Sequence, residues 1–138
     1  DPKQPLDFMA KDEANSLMNE VFDALKAVMG PHTRSLDVKH DEPGNFYVDT
    51  FHVMKNKKRL WFGGVQIKKN YVSYHLMPVY VNPKLLENMS PELKKRMQGK
   101  SCFNFKVIDE KLYGELGGLT KRGLQDYRAR GYIKSSEV

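Results

Sequence analysis

The first part of the chain, from Asp7 to Met29, repeats hydrophobic and polar positions with the period of a helix. At about 100° per residue, its apolar residues fall within an arc of about 140°, and polar residues occupy the opposite side. Gly30 and Pro31 end the pattern, because glycine favours a helix C-terminus and proline cannot continue the helix. We therefore predict an amphipathic helix with one buried face. Its apolar arc consists of Ala14, Leu17, Met18, Val21, Phe22, Leu25, Val28 and Met29.

Four segments rich in β-branched and aromatic residues follow, and short polar loops separate them. Loops this short require neighbouring strands to be antiparallel, so the four strands should form a meander. The loop lengths predict that Met54 lies opposite Arg59 and that Ile67 lies opposite Tyr71. The predicted strands are Ser35–His40, Phe46–Met54, Arg59–Ile67 and Tyr71–Val79.

The last part of the chain carries several helix starts and one more strand pattern. Asn82-Pro83 and Ser90-Pro91 each place a polar cap before a proline, which is typical of a helix N-terminus. The order of elements predicts a single α+β domain over residues 1–138, with a mostly antiparallel five-stranded sheet packed by N- and C-terminal helices. The elements predicted in this part are helices at about Pro83–Asn88 and Pro91–Met97, a strand at Cys102–Val107, and two helical segments capped by Asp109 and Thr120 and separated at Gly117-Gly118.

Composition narrows the class of protein. A chain of 138 residues suits one domain with a sizeable core, and its apolar runs are far shorter than the roughly 18 residues of a membrane-spanning helix. One cysteine, Cys102, permits no internal disulfide, so we expect a reducing compartment, the cytoplasm. The net charge of +6 is compatible with anionic partners.

From about Leu60 onward the chain resembles the bacterial YdhG-like family, whose members are largely domains of unknown function. The resemblance covers about two-thirds of the chain and lies in the order of its motifs, followed by a basic and aromatic C-terminal helix. It implies a single YdhG-like α+β domain. The motifs are Leu60-Trp61-Phe62-Gly63-Gly64, Tyr71-Val72-Ser73-Tyr74-His75-Leu76, and Gly99-Lys100-Ser101 with Phe103 and Phe105.

Some members of that family are described as frataxin-like iron chaperones, which implies iron as a possible cargo or cofactor. Carboxylates on the polar side of the first helix are the candidate oxygen ligands, since hard oxygen donors suit iron. The alternative is an ordinary solvated face, because Lys11 and Lys26 lie nearby. The candidate ligands are Asp12, Glu13, Glu20 and Asp23.

Other chemical motifs are weak. Gly99-Lys100-Ser101 lacks the earlier glycine of a phosphate loop and precedes a strand instead of a helix. In the predicted register His52 and His75 share a sheet face, but their Cα atoms lie about 12 Å apart, too far for one metal ion. The basic groups around Lys57 and Lys68 fall at opposite ends of the third strand, which argues against the continuous footprint that nucleic acid needs.

The predicted sheet carries a second face that combines aromatic and polar side chains. In the predicted register Gly63 lies between Thr50 and His75, and its missing side chain would leave a gap in this face. A mixed surface around a gap is typical of a ligand or partner site, whereas a covering helix would make it ordinary core. The candidate ligand-binding residues are Thr50, His52, Trp61, Gly63, Ser73 and His75.

The sequence contains no acid–base pair, catalytic triad or cofactor fingerprint, and we identify no catalytic residue. We predict a non-enzymatic cytoplasmic binding domain that takes a small molecule or a protein on the open sheet face. A homodimer is among the partners left open. The alternatives are an iron-binding chaperone, or a weak enzyme that uses His75.

Overall fold

The computed structural model describes residues 5–134, and for residues 5–10 it describes the backbone alone. The helices are α1 (Pro5–Met29), α2 (Met77–Val81), α3 (Pro91–Lys94) and α4 (Glu110–Ala129), with short 3-10 helices at Gly30–His32 and Pro83–Leu86. The strands are β1 (Asp37–Glu42), β2 (Asn45–Val53), β3 (Arg59–Ile67), β4 (Val72–Leu76), β5 (Met97–Gln98) and β6 (Cys102–Phe105).

The strands form one sheet in the order β1-β2-β3-β4-β6-β5, and every neighbouring pair is antiparallel. The predicted α+β class, the four-strand meander and the late strand beside it are therefore confirmed. The sheet also contains a sixth strand that was not predicted, the two-residue β5, which lies at the edge beside β6. No helix within residues 5–134 is both long enough and apolar enough to cross a membrane.

In the described part of the chain, the helices contact the sheet from one side only. Phe62 of β3 packs against Tyr127 of α4, with ring centroids 5.9 Å apart. The hydroxyls of Tyr74 in β4 and Thr120 in α4 share a buried hydrogen bond of 2.6 Å. α2 and α3 lie against α4 in turn, and α1 lies against both α4 and β3. We call this side of the sheet the helix face and the opposite side the outer face.

Helix α1 is longer than the core that it covers. Val21, Phe22, Leu25 and Met29 are buried, which confirms the C-terminal half of the predicted apolar arc. Ala14 and Leu17 of the same arc remain exposed, and only Met18 among the earlier members is packed against the core. The arc is thus correct as a periodicity, but no described element covers its N-terminal half.

The predicted elements in the second half of the chain differ from the structure in three respects. The glycine pair Gly117-Gly118 does not break the C-terminal helix, because α4 runs on through both residues and packs against α1 there. The predicted fourth strand ends at Leu76, and the next residues form α2 instead. The predicted helix starts at Pro83 and Pro91 are present, but each begins an element of only four residues.

Candidate functional site

The hairpin between β2 and β3 sets which side chains reach the outer face. The Met54 amide donates to the Lys58 carbonyl at 2.8 Å, and the Lys57 amide donates to the Met54 carbonyl at 2.9 Å. Lys57 adopts a left-handed conformation with φ of 68°, which closes a tighter loop than the sequence suggests. As a result Val53, and not Met54, lies opposite Arg59, so the predicted register is wrong by one residue.

Two irregularities then alter the pairing further along the same hairpin, one between Asp49 and Val53 and the other between Val48 and Asp49. Asp49 lies opposite Trp61, whereas the adjacent Val48 lies opposite Gly63, so β3 contains one extra residue at Phe62. Phe62 and Gly63 consequently both turn toward the helix face. A Cβ built on Gly63 would lie 2.8 Å from the side chain of Met29 in α1.

Gly63 therefore does not form a gap in the outer face, and that prediction is wrong. The second hairpin is also shifted by one residue, because Ile67 pairs with Val72, so that Gly64 pairs with His75. Gly64 is the glycine on the outer face, and the Trp61 ring lies beside it, 3.6 Å from the position that a Cβ would take. The protein fills the space above this glycine with its own indole.

Three rings form an aromatic ridge across the outer face, which we define as Tyr47, Trp61 and His75. Tyr47 and Trp61 are stacked, with centroids 5.2 Å apart and planes 15° apart. His75 lies on Trp61 at 4.5 Å, and His40 of the edge strand meets the Tyr47 ring edge-on at 5.8 Å. Within the described residues, the indole N–H of Trp61 is buried and has no hydrogen-bond acceptor.

Two predicted site residues in β2 lie away from this ridge. The Thr50 hydroxyl is buried, donates to the Leu60 carbonyl at 2.7 Å and accepts the His52 amide at 3.2 Å, so it satisfies the irregular backbone. The ring of His52 packs against Tyr132, beyond the end of α4, at 4.7 Å. The assignment of Thr50 and His52 to the outer face is wrong, because the shifted register inverts the two sides of β2.

Ser73 does lie on the outer face, in a polar row beside the ridge. Its hydroxyl is 2.7 Å from the Cys102 sulfur, and Cys102 lies opposite His75. The side chains of Gln66 and Asn45 share a hydrogen bond of 3.1 Å in the same row. The structure thus brings together Trp61, Ser73 and His75 from the predicted set.

Burial shifts the pKa of three groups at or beside the ridge. It lowers the pKa of His75, and the charge of Lys68 lowers it further. Burial raises the pKa of Asp49, partly against the effect of Arg59 and then Lys39, and the same cause raises the pKa of Tyr47. Asp49 is only 8% exposed, so the outer face contains a carboxylate with little access to water.

The site residues that sequence reasoning missed are Tyr47, Asp49, Gly64 and Cys102. A lone carboxylate inside an apolar and aromatic strand was the available signal for Asp49. Choosing between the adjacent glycines Gly63 and Gly64 required the bulge at Phe62, which the sequence does not signal.

Within the described residues, no group of three or more His, Cys, Asp or Glu side chains is placed to hold a metal ion. This absence includes the candidate iron ligands on α1, which are Asp12, Glu13, Glu20 and Asp23. With a rise of about 1.5 Å per residue, Asp12 and Asp23 lie about 16 Å apart along α1, so the four groups cannot converge on one ion.

Comparison with known proteins adds no relative to this description. No protein family, curated protein or solved structure matches the chain. The resemblance to the YdhG-like family therefore remains a prediction from its motifs.

Proposed function

We propose that this protein is a non-enzymatic interaction domain that binds a protein partner through the outer face of its sheet. The observation that carries the proposal is the aromatic ridge, a row of half-buried Tyr, Trp and His side chains on a sheet face that no described helix covers. Such aromatic residues contribute much of the binding energy at protein interfaces. Because Trp61 occupies the space over Gly64, the face suits a macromolecular surface better than a small ligand.

A second copy of the chain is the partner that we propose. Six strands about 4.8 Å apart, each extended by about 3.3 Å per residue, give a face of roughly 600 Å². Two such faces would bury roughly 1,200 Å², at the low end of specific interfaces, which fits a weak and concentration-dependent dimer.

The charges on the outer face support a self-complementary contact. Arg59 forms an ion pair with Asp37, and Lys39 lies 3.5 Å from the same carboxylate. Both signs of charge therefore occur on the surface that would meet itself across a two-fold axis. The edge strand β1 carries charged residues along its length, which discourages pairing at the sheet edge instead.

Sedimentation equilibrium tests this proposal directly. Gln66→Arg combined with Gln98→Arg adds like charges to the outer face, and Asn88→Arg combined with Gln125→Arg adds the same charge elsewhere. We expect the first pair to weaken dimerisation by about tenfold or more, and the second to change it by less than about twofold. A wild type that stays monomeric up to about 1 mM would overturn the proposal, as would equal weakening by both pairs.

The remaining expectations stay proposals. A cytoplasmic location rests on the single cysteine, and the iron-chaperone alternative rests on the family resemblance. Calorimetric titration with ferrous iron under anaerobic conditions would test the latter. Loss of binding on removal of Asp12, Glu13, Glu20 and Asp23 would support it.

A further inference from the structure

A cleft of about 850 Å³ opens beside the end of β2, away from the aromatic ridge. Strand β1 pairs with β2 only as far as Asp49, so the segment from Phe51 to Val53 has no described strand beside it on that side. The chain before β1 and the chain after α4 form the two walls. This volume lies within the range typical of small-molecule sites.

Basic side chains line the cleft from both walls. Arg34 comes from one wall and Lys134 from the other, and no Asp or Glu among residues 11–134 lines the space. Neither side chain forms an ion pair with a described carboxylate. Arg128 reaches the same wall, where it donates to the Ser35 hydroxyl at 3.3 Å.

Apolar and aromatic surface lies between these charges. The rings of His52 and Tyr132 pack together at 4.7 Å, and Phe51 and Val53 are 65% and 55% exposed. Large apolar side chains at this level of exposure bind readily to a ligand that removes them from water. Basic side chains beside exposed apolar side chains favour a ligand with an apolar body and a negative group.

We propose that this cleft binds an amphipathic organic anion, an aromatic or acyl compound with one strongly acidic group. The acidic group pairs with Arg34 and Lys134, and the apolar body lies against Tyr132 and Phe51. The cleft adjoins the outer face where Phe51 contacts Arg59, but Arg34, Tyr132 and Lys134 take no part in the outer-face contact, so either proposal can fail without the other.

Anilinonaphthalene sulfonate is a suitable probe, because its fluorescence reports transfer into an apolar site. Phenylnaphthylamine has the same rings without the sulfonate and serves as the neutral control. Arg34→Gln combined with Lys134→Gln removes the cleft charges. Lys84→Gln combined with Lys94→Gln removes two exposed charges elsewhere, and thermal melting confirms that every variant is folded.

We expect saturable binding of the sulfonate dye by wild type, weakened about tenfold or more by the cleft variant and less than about twofold by the control variant. The neutral dye should bind all three proteins alike. Equal loss in both variants, or no saturable binding of the sulfonate dye, would overturn the proposal. Amide shifts of Gly131 and Tyr132 on titration would locate the site, and shifts confined to other residues would contradict it.

Discussion

At the scale of single residues, local backbone geometry decides which side chains form the candidate site. Lys57 adopts a left-handed conformation that the sequence does not signal, since glycine and asparagine are the usual residues there. The resulting one-residue shift moves His52 away from the outer face, and the extra residue at Phe62 exchanges Gly63 for Gly64 there. Residue types therefore indicated which strands carry the aromatic and histidine side chains, but not which side of β2 those side chains occupy.

The first prediction concerns Gly63. A Cβ at this position would collide with the His75 carbonyl oxygen and lie 2.8 Å from the Met29 side chain, so the backbone and the core must shift to accept it. We expect Gly63→Ala to lower the free energy of unfolding by about 1–3 kcal/mol, measured by denaturant titration. Gly114→Ala, on the open surface of α4, should raise it by up to about 1 kcal/mol. Equal stability of the Gly63 variant and wild type would contradict the position of Gly63 on the helix face.

The second prediction concerns acid sensitivity. Burial is the main cause of the lowered pKa of both His75 and His32, and Lys68 and Lys121 contribute secondly. The unfolded chain therefore binds protons at a higher pH than the folded one, so this stability is present above the ordinary histidine pKa of 6.5 and is lost as the pH falls below it. His75→Gln should reduce the loss of unfolding free energy between about pH 8 and pH 5.5. An unchanged pH profile would show that His75 is not desolvated.

At the scale of elements, helix α1 shows what the hydrophobic periodicity of a sequence can predict. Its length and register followed from the sequence, and the buried positions from Val21 to Met29 were predicted. The exposed N-terminal half was not, because a periodic pattern does not reveal where the sheet beneath a helix ends. In helix α4 the local sequence predicted a break that is absent, because packing on α1 and α2 maintains the helix through glycines that favour a break.

The third prediction follows from this division of α1. Phe22→Ala should lower the free energy of unfolding by about 3–5 kcal/mol, because it removes a buried ring and leaves a cavity. Leu17→Ala, at a position that is 37% exposed, should cost less than about 1 kcal/mol, and the exposed Asp23→Ala less than about 0.5 kcal/mol. Comparable losses at Phe22 and Leu17 in denaturant unfolding would mean that the N-terminal half is buried after all.

At the scale of the whole molecule, the sequence predicted the architecture but not the composition of the proposed binding surface. The order of helices and strands was sufficient for the α+β class and for the meander beside the late strand. The composition of the outer face depends on two hairpin registers and a bulge, and each is set by local backbone geometry. The proposed surface is thus an aromatic ridge on a polar sheet face, in place of a gap lined by histidines.

The fluorescence of Trp61, the only tryptophan in the chain, tests the proposed surface most directly. Acrylamide quenching should be measured as the wild type is diluted from about 500 µM to about 1 µM, in parallel with the mass from sedimentation. If the outer faces meet in the dimer, quenching of Trp61 should increase along the same curve on which the mass falls to that of a monomer. A mass that halves while the quenching stays constant, or a monomer throughout, would contradict the outer face as the interface.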